Sequence, residues 1–121
     1  MASHRSFERS DRVAAQLRRE LGLLVHEAVR RLGLPSVSVS DVELSRDLAH
    51  AKVFVVTSRP EDGPAALAVL NGLAREMRQR LARALRLRSV PSLSFLYDES
   101  LDRGARIEAL LRRGRGDGDD A

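Results

Sequence analysis

The feature that most constrains this chain is a long amphipathic run that stops abruptly near residue 33. Apolar residues recur through it at helical spacing: Val13, Leu17, Leu21, Leu24, Val25, Ala28 and Leu32. Gly33 and Pro35 then provide a flexible residue and a helix breaker, which is a common way to end a helix. The pattern predicts one helix over residues 7–32, preceded by a flexible arm at residues 1–6.

Two β-branched runs follow, separated by the short polar stretch SRDLA. In the first, Val37 and Val39 alternate with serines, whereas Val42 and Leu44 continue in the opposite phase. This change of phase predicts a strand with a β-bulge near Ser40 or Asp41. The second run, AKVFVVTS, predicts a partner strand, so the two form a hairpin.

The second half of the chain alternates between helix and strand. A helical stretch runs from about residue 65 to residue 87 after Pro64, and Asn71-Gly72 in its interior predicts a kink or a break. PSLSFLYD predicts a third strand. SLDRGARIEALLRR predicts a short last helix, with Ser100 or Asp102 as its N-cap, and residues 114–121 are predicted to be disordered.

The order helix, strand, strand, two helices, strand predicts an α+β fold. A three-stranded sheet with helices on one face can bury the apolar 43% of the chain in one domain over residues 7–113. A short C-terminal helix follows this αββααβ arrangement.

The sequence offers no set of catalytic or metal-binding residues. Cysteine is absent, and His4, His26 and His50 are too dispersed for ligand spacing. Phosphate-binding glycine loops and nucleophile motifs are also absent. We therefore expect a non-enzymatic protein without a cofactor, a metal, a small-molecule substrate or a membrane-spanning segment.

Charge is concentrated on the second helical stretch. Residues 64–90 hold six arginines and one acid, Glu76, within a chain of net charge +4. A helical wheel places Leu70, Leu73, Met77, Leu81, Ala84 and Leu85 in one arc, and Arg75, Arg78, Arg80, Arg83 and Arg86 opposite them. Such a surface is either an ordinary solvated face or a binding face for a polyanion, and the scarcity of acidic neighbours favours the second interpretation. With 3% aromatic residues, contacts to phosphates are favoured over stacking on bases.

Four segments resemble the bacterial ribosome-binding factor A family: RSDRVAAQLRREL, DVELSRDLAHAKVFV, VLNGLAREMRQRL and LRSVPSLSFLYDESLDRGARIEALL. They occur in the family's order across nearly all of residues 7–111. The resemblance implies a type II KH-like fold and binding to the small (30S) ribosomal subunit and its 16S ribosomal RNA during late maturation. It also implies a non-enzymatic role in the cytoplasm and in cold adaptation.

One position departs from the family pattern. Where the family carries Ala-x-Gly at the bend between its paired helices, this chain reads Leu73-Ala74-Arg75. Either Asn71-Gly72 supplies the bend, or the helix is straighter, and Arg75 offers a side chain where the family has glycine. Ser45, Asp47 and Arg88 match the family pattern. Asp47 is expected to shape the hairpin, and Arg88 either binds RNA or pairs with an acid.

The sequence therefore predicts a monomeric RNA-binding protein with two contact sets. Asp98 and Ser100 are expected to cap the last helix rather than to bind RNA. The alternatives are a general single-stranded RNA-binding KH-like module without a ribosomal role, and a protein-interaction module with a basic helix. The primary RNA-binding set is Asn71, Gly72, Arg75, Arg78, Arg80, Arg83, Arg86 and Arg88, and the secondary set is Arg5, Arg9, Arg12, Arg18 and Arg19.

Overall fold

The computed structural model describes residues 2–100, with the side chains of residue 9 and residues 11–100. The predicted C-terminal helix, apart from Ser100, and the predicted disordered tail lie outside the described residues. The elements are α1 (Ala2–Leu32), β1 (Val37–Leu44), β2 (His50–Thr57), a 3-10 turn (Pro60–Asp62), α2 (Gly63–Gly72), α3 (Ala74–Leu85) and β3 (Ser92–Tyr97).

Helix α1 ends where the sequence predicts but begins earlier. Gly33 has φ of +66°, and the Leu34 amide donates to the Val29 carbonyl at 3.1 Å, which closes the last turn. At the other end the helical backbone starts at Ala2 instead of residue 7, because no glycine or proline interrupts residues 2–6. The flexibility of residues 1–6 stays a prediction.

The sheet has the order β1-β2-β3 and is mixed. Strand β1 pairs with β2 antiparallel, and β2 pairs with β3 parallel. The β1–β2 register shifts between Val39 and Asp41, so Ser40 is the extra residue of a bulge. This confirms the predicted bulge and explains the change of phase. Before it Val37 faces the core, and after it Val42 does.

The connection between β1 and β2 is organised by Asp47. Its carboxylate accepts hydrogen bonds from the Ser45 hydroxyl at 2.7 Å and from the Ala49 amide at 3.0 Å. The bond from Ser45 is the main reason why the pKa of Asp47 lies below its usual value. Leu48 adopts φ of +60°, and Asp47 and Leu48 together shape the hairpin as predicted.

All the described helices pack on one face of the sheet. Helix α1 lies against β1, while α2 and α3 lie against β3. Helix α2 starts at Gly63, one residue before the predicted Pro64, and a Cβ atom at Gly63 would lie 3.0 Å from the Tyr97 ring. The core consists of Leu17, Leu21, Val25, Ala28, Val37, Val42, Ala51, Val53, Val55, Ala66, Leu70, Met77, Leu81, Val90, Leu93 and Phe95. The predicted α+β, KH-like architecture is thus confirmed.

Candidate nucleic-acid interface

Helix α3 is oriented by two side chains that enter the core. Met77 and Leu81 are buried, and Ala74, Ala82 and Leu85 are partly buried against the same core. The rest of the helix circumference faces solvent. Ala84 is exposed, although the wheel places it in the apolar arc, because the buried stripe is narrower than predicted. Helix α3 therefore presents Arg75, Arg78 and Arg83 to solvent.

Five of the six arginines of the primary set are exposed, and Arg80 is half-buried. The side chains of four of the exposed ones make no hydrogen bond or ion pair within the described part of the chain: Arg75, Arg83, Arg86 and Arg88. Arg86 sits at the C-cap of α3 with φ of +52°, and its amide donates to the Ala82 carbonyl at 3.1 Å. For Arg88, the described residues offer no acidic partner. These four guanidinium groups keep all their donors available for an anion.

Arg80 lies at the border between α3 and α1, and is already paired. Its guanidinium donates two hydrogen bonds to the Glu27 carboxylate on α1, and the Nη2 to Oε2 distance is 3.1 Å. These bonds lower the pKa of Glu27 and raise that of Arg80. Arg80 thus contributes less free positive charge than the sequence indicates.

A second ion pair joins the same two helices, with the basic residue on α1 and the acidic residue on α3. Arg31 of α1 lies 3.7 Å from the carboxylate of Glu76, and both side chains are about half exposed. Glu76 is the acidic residue of α3. Arg31 therefore partly neutralises Glu76, which also attracts the Arg80 guanidinium and helps to raise its pKa.

Arg78 lies at the opposite border of the apolar stripe. Its Nε atom donates to the Val90 carbonyl at 3.0 Å and so ties α3 to the segment that enters β3. The bond uses one of the five N–H donors of the guanidinium group, so the Nη atoms still reach solvent. Arg78 therefore makes a contact within the fold in addition to the RNA contact that the sequence predicts for it.

The helix break falls at Leu73. This residue has φ of −96° and ψ of 1°, and it separates α2, which ends at Gly72, from α3, which starts at Ala74. Its amide is shared between the Val69 and Leu70 carbonyls at 3.1 and 3.0 Å. The predicted break is therefore present, one residue after Asn71-Gly72 and at the first position of the Leu73-Ala74-Arg75 triplet.

Glycine is not required at position 72 for space. A Cβ atom there would meet nothing within 4 Å, and Gly72 is not among the residues with positive φ. Gly72 instead favours the break through its low helix propensity, which makes the helix about 1 kcal/mol less stable than alanine would. An RNA contact at Gly72 stays a prediction.

Asn71 has a role that the sequence pattern does not reveal. Its side-chain amide donates to the Phe95 carbonyl at 3.1 Å, and its side-chain oxygen accepts from the Phe95 amide at 2.9 Å. Strand β3 lies at the edge of the sheet, so Asn71 takes the place of a neighbouring strand at one residue. No local sequence signal marks such a contact, because it joins residues 24 positions apart.

The secondary set lies along α1. Arg9, Arg12, Arg18 and Arg19 are all exposed, and the side chain of Arg5 lies outside the described residues. Arg12 and Arg19 are seven residues apart and lie on one side of the helix, whereas Arg18 points about 100° away from Arg19. Arg30 and Arg31, which the sequence did not single out, lie in the last turn, where cations complement the helix dipole.

The described residues contain no cluster of His, Cys, Asp or Glu suited to a metal ion. Between residues 2 and 100, none of the helices is both long enough and apolar enough to cross a bilayer. What the α3 surface offers chemically is a group of guanidinium donors with the geometry to bind phosphate oxygens.

A family profile described as Ribosome-binding factor A matches residues 9–111. Among curated proteins, ribosome-binding factor A of Stenotrophomonas maltophilia is 60% identical over 108 residues, which is 89% of this chain and 85% of that protein. The Xanthomonas oryzae pv. oryzae protein of the same name is also 60% identical, over 89% of this chain and 83% of its own length.

Solved structures that are similar to this chain carry the same family name. The crystal structure of ribosome-binding factor A from Thermus thermophilus is similar, with a TM-score of 0.60 and 33% identity over 73% of this chain and 94% of that one. A second similar structure is a homology model of Thermus thermophilus ribosome-binding factor A, fitted into the cryo-EM map of its 30S complex. It has a TM-score of 0.58 and 31% identity, over 73% of this chain and 93% of that one.

Proposed function

This chain belongs to the ribosome-binding factor A family, and on that premise we propose that it is an assembly factor of the small (30S) ribosomal subunit. It binds the subunit and its 16S ribosomal RNA during late maturation. A relative placed in a 30S complex supports this assignment. The protein acts by binding rather than by catalysis, in the cytoplasm, as a monomer, and its role extends to growth in the cold.

The observation that carries the RNA-binding surface is the group of exposed arginines on and after α3. We define the arginine face as Arg75, Arg83, Arg86 and Arg88, with Arg78 and Arg80 at its borders. Guanidinium groups bind phosphate oxygens through paired hydrogen bonds, and such contacts position a protein on RNA without reading its sequence. The low aromatic content of the chain fits backbone recognition better than base stacking.

The experiment reverses charge at the centre of this face. Arg75→Glu with Arg83→Glu changes two exposed side chains without a described partner, so the fold should be unaffected. Binding to purified small subunits should weaken. The slope of log affinity against log salt should become shallower by about 0.7 to 0.9 for each phosphate that the variant no longer neutralises.

The matched control is Arg46→Glu with Arg59→Glu. Both are exposed arginines outside α3, and the change of net charge is identical. Arg59 pairs with Glu61, but both side chains are largely exposed, so loss of this pair should change stability little. If the two double variants lose the same affinity and salt dependence, only net charge matters and the arginine face is not the binding surface.

A further inference from the structure

The sheet face turned away from the helices carries a groove of about 450 Å³. Its lining combines the ring of Phe54 with carboxylates from β1 and from the segment after β3, and Tyr97 lies at its edge with its ring turned toward Gly63 on the helix face. The lining residues are Asp41, Glu43, Phe54, Tyr97, Asp98, Glu99 and Ser100. We call this site the sheet groove.

The bulge of β1 builds the groove. The register shift at Ser40 places Asp41 opposite Phe54 and Glu43 opposite Lys52, on the face away from the core. On the other side of β2, Phe54 pairs with Leu96, which is 38% exposed. The groove therefore has an apolar floor, and the described helices leave it uncovered because they occupy the opposite face.

The lining of the groove is acidic, and Lys52 lies beside it, opposite Glu43. Four carboxylates line it, and none of the lining residues is basic. The Asp98 carboxylate accepts hydrogen bonds from the Ser100 amide at 2.9 Å and from the Ser40 hydroxyl at 2.6 Å. Hydrogen bonds from Ser100 and Ser40 lower the pKa of Asp98, which keeps this carboxylate ionised at neutral pH. Ser40, the bulged residue, thus links both walls of the groove.

This combination selects one class of partner. Aromatic faces and carboxylates both attract a guanidinium or an ammonium group, and the two effects act together where they are close. RNA phosphates are repelled by the same carboxylates. An apolar floor suits the aliphatic part of an arginine or a lysine side chain, or an adjacent leucine.

We propose that the sheet groove binds a basic protein segment, with an arginine or lysine side chain held between the carboxylates and against the ring of Phe54. The proposal goes beyond RNA binding and does not depend on it, because α3 lies on the opposite face of the sheet. With both surfaces occupied, the protein bridges an RNA and a basic polypeptide.

The test uses the full chain and two fluorescent synthetic peptides. One consists of arginine, leucine and alanine, and the other has glutamate in place of each arginine. The full chain should bind the first peptide and not the second. NMR shifts on binding should centre on Asp41, Phe54 and Leu96.

Two double variants that change the net charge by the same amount are compared, one in the groove and one outside it as the control. Glu43→Gln with Glu99→Gln removes two carboxylates of the groove that make no hydrogen bond within residues 2–100. Binding of the basic peptide should weaken about five- to tenfold, as expected for loss of two exposed ion pairs. Glu61→Gln with Asp62→Asn, outside the groove, should leave it unchanged.

The proposal is overturned if the basic peptide does not bind the full chain, if both double variants weaken binding equally, or if the NMR shifts map elsewhere. If sedimentation shows self-association that the groove variant abolishes, a second copy is the occupant, and the proposal is also wrong. Small-subunit binding by the groove variant should equal that of the wild type. An experiment that refutes peptide binding by the sheet groove is therefore distinguishable from one that refutes RNA binding by the arginine face.

Discussion

At the scale of single residues, Asn71 shows how one side chain can link the sheet to the helix pair. Its amide satisfies both the N–H and the carbonyl of Phe95 on the edge strand, immediately before the break at Leu73. The orientation of α3, and with it the direction of the arginine face, thus depends partly on a polar contact. An RNA contact by Asn71 would have to compete with these two bonds.

We expect Asn71→Ala to lower the free energy of unfolding by about 1–2 kcal/mol, because it removes two hydrogen bonds to partly buried backbone groups. Urea unfolding followed by circular dichroism measures this change. Gln79→Ala, on the exposed side of α3, is the control and should change stability little. Equal stability of the Asn71 variant and the wild type would show that the contact is not formed in solution.

The sequence predicted the types of residue at the interface better than their individual partners. Exposure of Arg75 and Arg83 follows from helical spacing alone. The bond from Arg78 to Val90 and the pair between Arg80 and Glu27 do not, because each depends on how separate segments pack. Side chains at the border of an apolar stripe reach neighbouring elements, and sequence patterns do not name those neighbours.

At the scale of elements, the α1–α3 contact controls how much of the arginine charge is free. Glu27 holds Arg80, and Arg31 partly neutralises Glu76. Both pairs are solvent-exposed, so their chief effect is on the charge of the surface rather than on stability. Helix α1 thus tunes the neighbouring binding surface.

We therefore expect Glu27→Gln to strengthen binding to small subunits, because it leaves the Arg80 charge uncompensated. The salt slope should steepen by up to about 0.7 to 0.9 if Arg80 then reaches one more phosphate. Salt-dependent binding measurements test this. Asp62→Asn, which makes the same net-charge change on the 3-10 turn, is the comparison. Identical behaviour of the two variants would place Arg80 outside the interface.

The order and type of the elements were predictable because the spacing of apolar residues and the positions of glycine and proline indicate the same elements along the chain. The phase change between Val39 and Val42 even located the bulge. The boundaries of the elements were less predictable. Helix α1 extends to Ala2, and the helix break falls at Leu73 although the neighbouring Gly72 has the lower helix propensity. Tertiary packing selects the break within a window where local propensities differ by only about 1 kcal/mol.

At the scale of the whole molecule, the described part of the chain separates its charge. Arginines occupy the outer surface of α3, and carboxylates surround the sheet groove on the far side of the sheet. A protein with such a distribution binds a polyanion in one orientation, because the opposite orientation would place carboxylates against phosphates. The central claim is that this orientation brings α3, and not the open sheet face, to the ribosomal RNA.

The most direct measurement is site-specific photo-crosslinking on purified small subunits. One probe replaces Gln79, which lies among the exposed arginines of α3, and the other replaces Ser94, which is exposed on the open sheet face. The probe at position 79 should crosslink to 16S ribosomal RNA, and the probe at position 94 should not. RNA crosslinks from position 94 with none from position 79 would contradict the account.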